Sequence, residues 1–193
     1  MKKFWILLLV ISILFMGCNK LEGEEENKSS KNGNLVGEIG KKEISSEPYA
    51  KWFFKYYNAY KANSIELSKL KNNLSGVEIM VILGTWCSDS RRETPRLFNI
   101  MDHIQYPEDK ISMLAVDRDQ FRNERDSIDE IKDLNIIRVP TIILYRGDKE
   151  IGRIIEYPVQ SLEKDMNLIL TTGTYRPNYY KQSEKNKKSE HIK

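Results

Sequence analysis

Residues 77–90 read Val77-Glu-Ile-Met-Val-Ile-Leu83-Gly84-Thr85-Trp86-Cys87-Ser88-Asp89-Ser90, and this stretch decides the fold. Val77–Leu83 is short, apolar and dense in β-branched residues, which predicts a buried strand. Gly84-Thr85-Trp86 turns the chain. Beyond Cys87, Leu97, Ile100/Met101 and Ile104 recur at helical spacing, so the expected helix begins near the cysteine. At a helix N-terminus the unpaired N–H groups and the positive dipole end favour a thiolate. Ser90 is placed to donate a hydroxyl hydrogen bond to the sulfur. Arg91 and Arg92 add positive charge and Asp89 opposes it. The polar Ser-Asp-Ser-Arg-Arg context argues for a reactive thiol over a buried, inert one.

Working outward, the chain alternates helix and strand. Tyr49, Trp52/Phe53, Tyr56/Tyr57 and Tyr60 form an amphipathic helical stripe, with Ser46 as the expected cap. Ile111–Val116 predicts another strand. Phe121, Ile128, Ile131 and Leu134 suit a helix after it. Thr141–Tyr145, a Gly147-Asp148 turn and Glu150–Ile155 read as a hairpin. Ser161 can cap a last helix carrying Leu162, Met166 and Ile169/Leu170. The order predicts an α/β domain with a central mixed sheet flanked by helices.

The 193 residues suit one domain. Lys+Arg 31 against Asp+Glu 28 gives +3, with no broad basic field to recommend a nucleic-acid partner. Two cysteines exclude a disulfide scaffold and a cysteine-built zinc site. Two histidines leave little room for another metal centre, so neither a metal nor a cofactor is expected.

The ends read differently from the middle. Lys2 and Lys3 precede an apolar run from Phe4 to Met16 that stops at Gly17-Cys18. It has signal-peptide length and is shorter than a spanning helix requires. The junction resembles the bacterial lipobox, although Phe15 stands where the pattern prefers leucine. That resemblance implies removal of residues 1–17, lipidation of Cys18, and a membrane partner through that lipid. Residues 18–45, rich in Glu, Lys and Ser, are expected to form a polar tether. Its acidic run also resembles surface-export signals of some Bacteroidetes lipoproteins. The folded domain is expected over 46–173, followed by a basic, disordered tail over 174–193.

The decisive stretch, together with Pro95, Val139-Pro140-Thr141 and Gly147, resembles the thioredoxin superfamily, and in particular exported lipoproteins of Bacteroidetes type. Thioredoxins show a strand, Trp-Cys-x-x-Cys, a helix with a proline eight residues after the first cysteine, and a cis-proline in a Val/Ile-Pro-Thr run before a hairpin. The resemblance covers about residues 77–170 and implies a thioredoxin fold with an extra N-terminal helix. It gives Cys87, Trp86 and Ser90 catalytic positions, and gives Val139, Pro140 and Thr141 to substrate binding. Two departures stand out. Ser90 replaces the resolving cysteine, and Val81 replaces a buried aspartate that serves it.

Two functions follow. One is monothiol thiol–disulfide exchange on extracytoplasmic protein or small-molecule disulfides, with an external thiol releasing the product. The other is a binding module without turnover, holding extended peptide beside Trp86 and Pro140 by strand addition at Val139. In both the protein is anchored by lipid in the bacterial cell envelope.

Overall fold

The computed structural model describes residues 33–190. Cys18 and the predicted signal peptide lie outside them. The elements are β1 (Gly37–Ile39), α1 (Lys41–Ile44), α2 (Ala50–Ala59), α3 (Ser64–Asn73), β2 (Val77–Leu83), α4 (Ser88–Ile104), β3 (Ile111–Ala115), α5 (Arg118–Asn123), β4 (Thr141–Arg146), β5 (Lys149–Ile155), α6 (Leu162–Thr172) and α7 (Tyr180–Glu190). The strands form one five-stranded mixed sheet in the order β1-β3-β2-β4-β5. β2 runs parallel to β3 and antiparallel to β4. The architecture is α/β, a mixed sheet between helices. Among the described residues no helix is long and apolar enough to cross a membrane.

Each face of the sheet has its own apolar layer, because side chains alternate along a strand. Val77, Ile79, Val81 and Leu83 of β2 point into the larger layer with Phe53 of α2, Leu70 of α3, Leu97, Phe98 and Met101 of α4, and Leu162 and Met166 of α6. Val81 is one of these core residues. Ile82 points the other way and joins Leu114, Val116, Phe121, Ile131, Ile136, Val139 and Ile143. The aromatic stripe of α2 is built around Phe53, which stacks on Tyr57 with centroids 5.9 Å apart and also meets Phe98. The β4–β5 hairpin closes with Arg146 opposite Lys149. Its two-residue turn needs the left-handed conformation of Gly147, φ 57°.

Several expectations require correction. The tether does not extend to residue 45. Leu35, Ile39 and Ile44 are buried in the core, and β1 pairs with β3 as an edge strand. The C-terminal segment is not wholly a disordered tail. It carries α7, where Ser183 is buried and takes hydrogen bonds from Asn135 Nδ2 on its carbonyl and hydroxyl oxygens, at 2.9 and 3.3 Å. Ser46 does not cap α2. Its hydroxyl donates to the Lys42 carbonyl at 2.7 Å, and Tyr49 occupies the cap position. The helix expected after β3 stops at Asn123. Ile128 and Ile131 are buried from a run of short 3-10 turns, which satisfies the same apolar spacing without a continuous helix. Ser161 does cap α6, accepting from the Lys164 N–H at 3.4 Å.

Candidate functional site

β2 ends at Leu83 and the chain turns through Gly84–Cys87, closed by the Cys87 N–H donating to the Gly84 carbonyl at 2.8 Å. Three side chains fix this turn. Thr85 is fully buried and its Oγ1 accepts from the Leu35 N–H at 3.1 Å. Trp86 folds back across Gly84, and its indole N–H donates to the Val116 carbonyl at 2.8 Å. A β-carbon at Gly84 would lie 2.5 Å from that indole, so the ring position requires glycine there. Arg91 Nε donates to the Thr85 carbonyl.

Cys87 is the N-cap of α4, with extended backbone angles of −87° and 128°. It is half-buried and unbridged. Its thiol donates to the Val139 carbonyl at 3.2 Å, and the Val139–Pro140 peptide is cis. Thr141 is buried and its hydroxyl donates to the Arg138 carbonyl at 2.7 Å, holding the 138–141 segment against the turn. The structure therefore brings Trp86, Cys87 and Val139 together around one pocket of about 400 Å³, with Pro140 and Thr141 buried just behind Val139.

Ser90 takes a different role from the expected one. It is fully buried, and its hydroxyl oxygen accepts from the Gly84 N–H at 3.2 Å. Among the described residues it makes no hydrogen bond to the sulfur. The neighbouring arginines are committed elsewhere. Arg91 holds Thr85, and Arg92 binds Asp89 at 2.6 Å and the buried Glu93.

Sequence reasoning missed the arginines that line the same pocket as Cys87. Arg118 and Arg122 of α5 and Arg138 before the proline all line the pocket. The Arg118 guanidinium lies 6.0 Å from the centroid of the Trp86 ring and that of Arg138 lies 5.0 Å from the centroid of the Tyr179 ring. Among the described residues, the pocket's one carboxylate is Glu156. It accepts from the Tyr179 hydroxyl and sits 4.0 Å from Arg138 Nε. The charge-dense run after Asp117 was visible in the sequence, but its nearness to Cys87 was not. A larger cavity, about 590 Å³, opens at the far end of β2 beside Leu74, Tyr106, Lys110 and Asp148. It holds none of the candidate catalytic or substrate-binding residues.

No family model matches the chain, and no curated protein matches it. Among solved structures it is similar to a protein of unknown function from Pseudomonas aeruginosa, at 15% identity and TM-score 0.39, over 71% of this chain and 77% of that one. It is also similar to an HIV epitope scaffold, at 16% identity and TM-score 0.39, over 71% and 78%. At these scores neither likeness informs the fold or the chemistry.

Proposed function

We propose that this protein is a thioredoxin-fold monothiol thiol–disulfide exchange protein, held in the bacterial cell envelope by a lipid on Cys18. The observation that carries the reading is the position of Cys87. It caps α4 with its sulfur on the Val139 carbonyl, beside a cis-proline that leads into the β4–β5 hairpin. The strand–turn–cysteine–helix order and the Val-Pro-Thr segment are the parts of thioredoxins that this chain resembles.

The step balances without a cofactor. The Cys87 thiol loses its proton to solvent, and the thiolate attacks one sulfur of a disulfide. A Cys87–substrate disulfide forms as the old S–S bond breaks, and the other sulfur leaves as a thiolate. With serine at position 90, an external thiol must attack the mixed disulfide. That attack restores Cys87 and carries away the oxidised pair. Cys87 stands at the N-terminus of α4, where N–H groups without intrahelical partners and the positive dipole end favour a thiolate.

A second reading, a peptide-binding module without turnover, draws on the commitment of Arg91 and Arg92 to other partners and on the thiol's engagement as a donor to Val139. One experiment separates the two. The full chain with Cys18→Ser is incubated with excess glutathione disulfide and the intact mass is read. A mixed disulfide on Cys87, released by added thiol and absent in Cys87→Ser, is expected. No adduct under excess oxidant refutes exchange and leaves the binding module. The lipid anchor is tested on membrane-extracted protein, where retention of Met1 with unmodified Cys18 refutes it.

A further inference from the structure

We propose that the pocket at the Cys87 sulfur selects anionic disulfides, in which carboxylates flank the sulfur under attack. The proposal rests on the exchange reading above and names its substrate class. Arg118, Arg122 and Arg138 converge on the pocket from two separate segments. All three are exposed, and among the described residues Glu156 is the only carboxylate lining the same space. That carboxylate already accepts from Tyr179 and faces Arg138, so the pocket carries net positive charge in a chain whose overall formal charge is only +3.

The arrangement is built as well as charged. The Arg118 guanidinium lies over the Trp86 ring and that of Arg138 over the Tyr179 ring. Arg138 Nη1 also donates to the Ile137 carbonyl at 3.0 Å, so Arg118 and Arg122 supply the N–H edges that a carboxylate would meet, in a forked geometry that arginine offers and lysine does not. Arg122 has no ion-pair partner among the described residues. A cleft lined by one sign of charge concentrates oppositely charged reactants and raises their association rate by about 10–10³-fold, in a salt-dependent manner. A carboxylate within several bonds of the sulfur would meet these donors as the disulfide approaches Cys87. Both small acidic disulfides and acid-flanked peptide disulfides share this chemistry.

The test uses the full chain with Cys18→Ser, so that Cys87 is the only thiol, and compares a dianionic probe, dithiobis(nitrobenzoic acid), with the neutral 4,4′-dithiodipyridine. The ratio of the two reaction rates is set against the same ratio for free N-acetylcysteine, which corrects for intrinsic reactivity. The protein's ratio is expected to exceed the free thiol's by about tenfold or more at low salt and to collapse towards it in 1 M salt. Arg118→Gln/Arg122→Gln/Arg138→Gln should lower the ratio at low salt. Arg146→Gln, at the far end of β4, should not. Glutathione disulfide and an acid-flanked peptide disulfide, each compared with a lysine-flanked peptide disulfide, then show whether small molecules, peptides or both receive the preference. A ratio equal to that of the free thiol, or one the triple variant retains, overturns the proposal while leaving exchange intact. Reaction with neither probe overturns the exchange reading itself.

Discussion

Replacing Ser90 with alanine separates a structural serine from one that serves the sulfur. The Ser90 hydroxyl is fully buried and accepts from the Gly84 N–H at 3.2 Å. Deleting it leaves a buried backbone donor without that partner, which costs about 1–3 kcal/mol. Alanine is the better helix former by about 0.5 kcal/mol, so the net loss is about 0.5–2.5 kcal/mol. With a urea slope of about 2 kcal/mol/M, the midpoint should fall by about 0.25–1.25 M. Equilibrium urea unfolding by far-ultraviolet circular dichroism reads this directly, with Ser88→Ala as an exposed control in the same turn. Ser90→Cys keeps only a weak acceptor and should fall between wild type and alanine. Under reducing conditions it also places a second thiol one helical turn from Cys87, so its insulin reduction with dithiothreitol should exceed wild type, though incompletely while Val81 supplies no carboxylate. A Ser90→Ala midpoint unchanged from wild type, together with a changed Cys87 alkylation rate, would refute the assignment of the hydroxyl to Gly84 and return it to the sulfur.

Gly84→Ala should cost about 1–3 kcal/mol, because the new methyl meets the indole at 2.5 Å. In a Trp5→Phe/Trp52→Phe background the Trp86 emission should shift as the ring leaves the Val116 carbonyl, and unchanged emission and midpoint would contradict the packing described. The folded protein should also lose stability steeply above pH 10. Burial, followed by the adjoining Asp102, pushes Tyr57 up to about 12, and burial followed by Glu78 pushes Tyr106 up to about 12, while burial also raises Tyr60 and Tyr175, beside Glu163 and Asp165. The unfolded chain releases these protons near 10, so between about 10 and 12 it binds fewer protons than the native state and stability falls as pH rises. Tyrosine absorbance followed against pH should show these groups ionising only with unfolding. A smooth titration near 10 with native circular dichroism would refute it.

What could be read from the sequence was what repeats locally. β2 and the β4–β5 hairpin carry apolar runs with a glycine turn between strands, and α4 and α6 carry clear helical periodicity, so their places were legible. α3 was not, because its apolar residues are sparse. Leu70 is its one buried residue, and Ile65 stays 66% exposed. β1 is three residues long, too short for any alternation to register, and it exists because its backbone pairs with β3. α7 is polar along its length and is held by Asn135, a contact between segments far apart in sequence. At the site, Cys87, Trp86 and the Val-Pro-Thr segment were legible as motifs. The role of Ser90 was not, since choosing between the sulfur and the Gly84 N–H requires the path of the turn. The arginines escaped for the same reason, because charge-rich loops are common and only the sheet order says which of them meet.

That sheet order accounts for the site's location. β2 and β4 are antiparallel neighbours with Ile82 opposite Thr141, so the C-terminal end of one strand and the N-terminal end of the other share an edge. The turn carrying Cys87 is thereby set over Val139 and Pro140, although more than fifty residues of chain intervene. β3 runs parallel to β2 with Ala115 opposite Leu83, and so delivers Val116 to the Trp86 indole and α5, with Arg118 and Arg122, to the same edge. A β-strand running the other way in the place of β3 would leave the arginines at the opposite pole, beside Tyr106 and Lys110. Sulfur, ring and guanidinium groups thus depend on three strand ends at once. A perturbation of the β2–β3 pairing should disturb the pocket's charge selectivity before it disturbs the Cys87–Val139 contact, which β2 and β4 maintain between themselves.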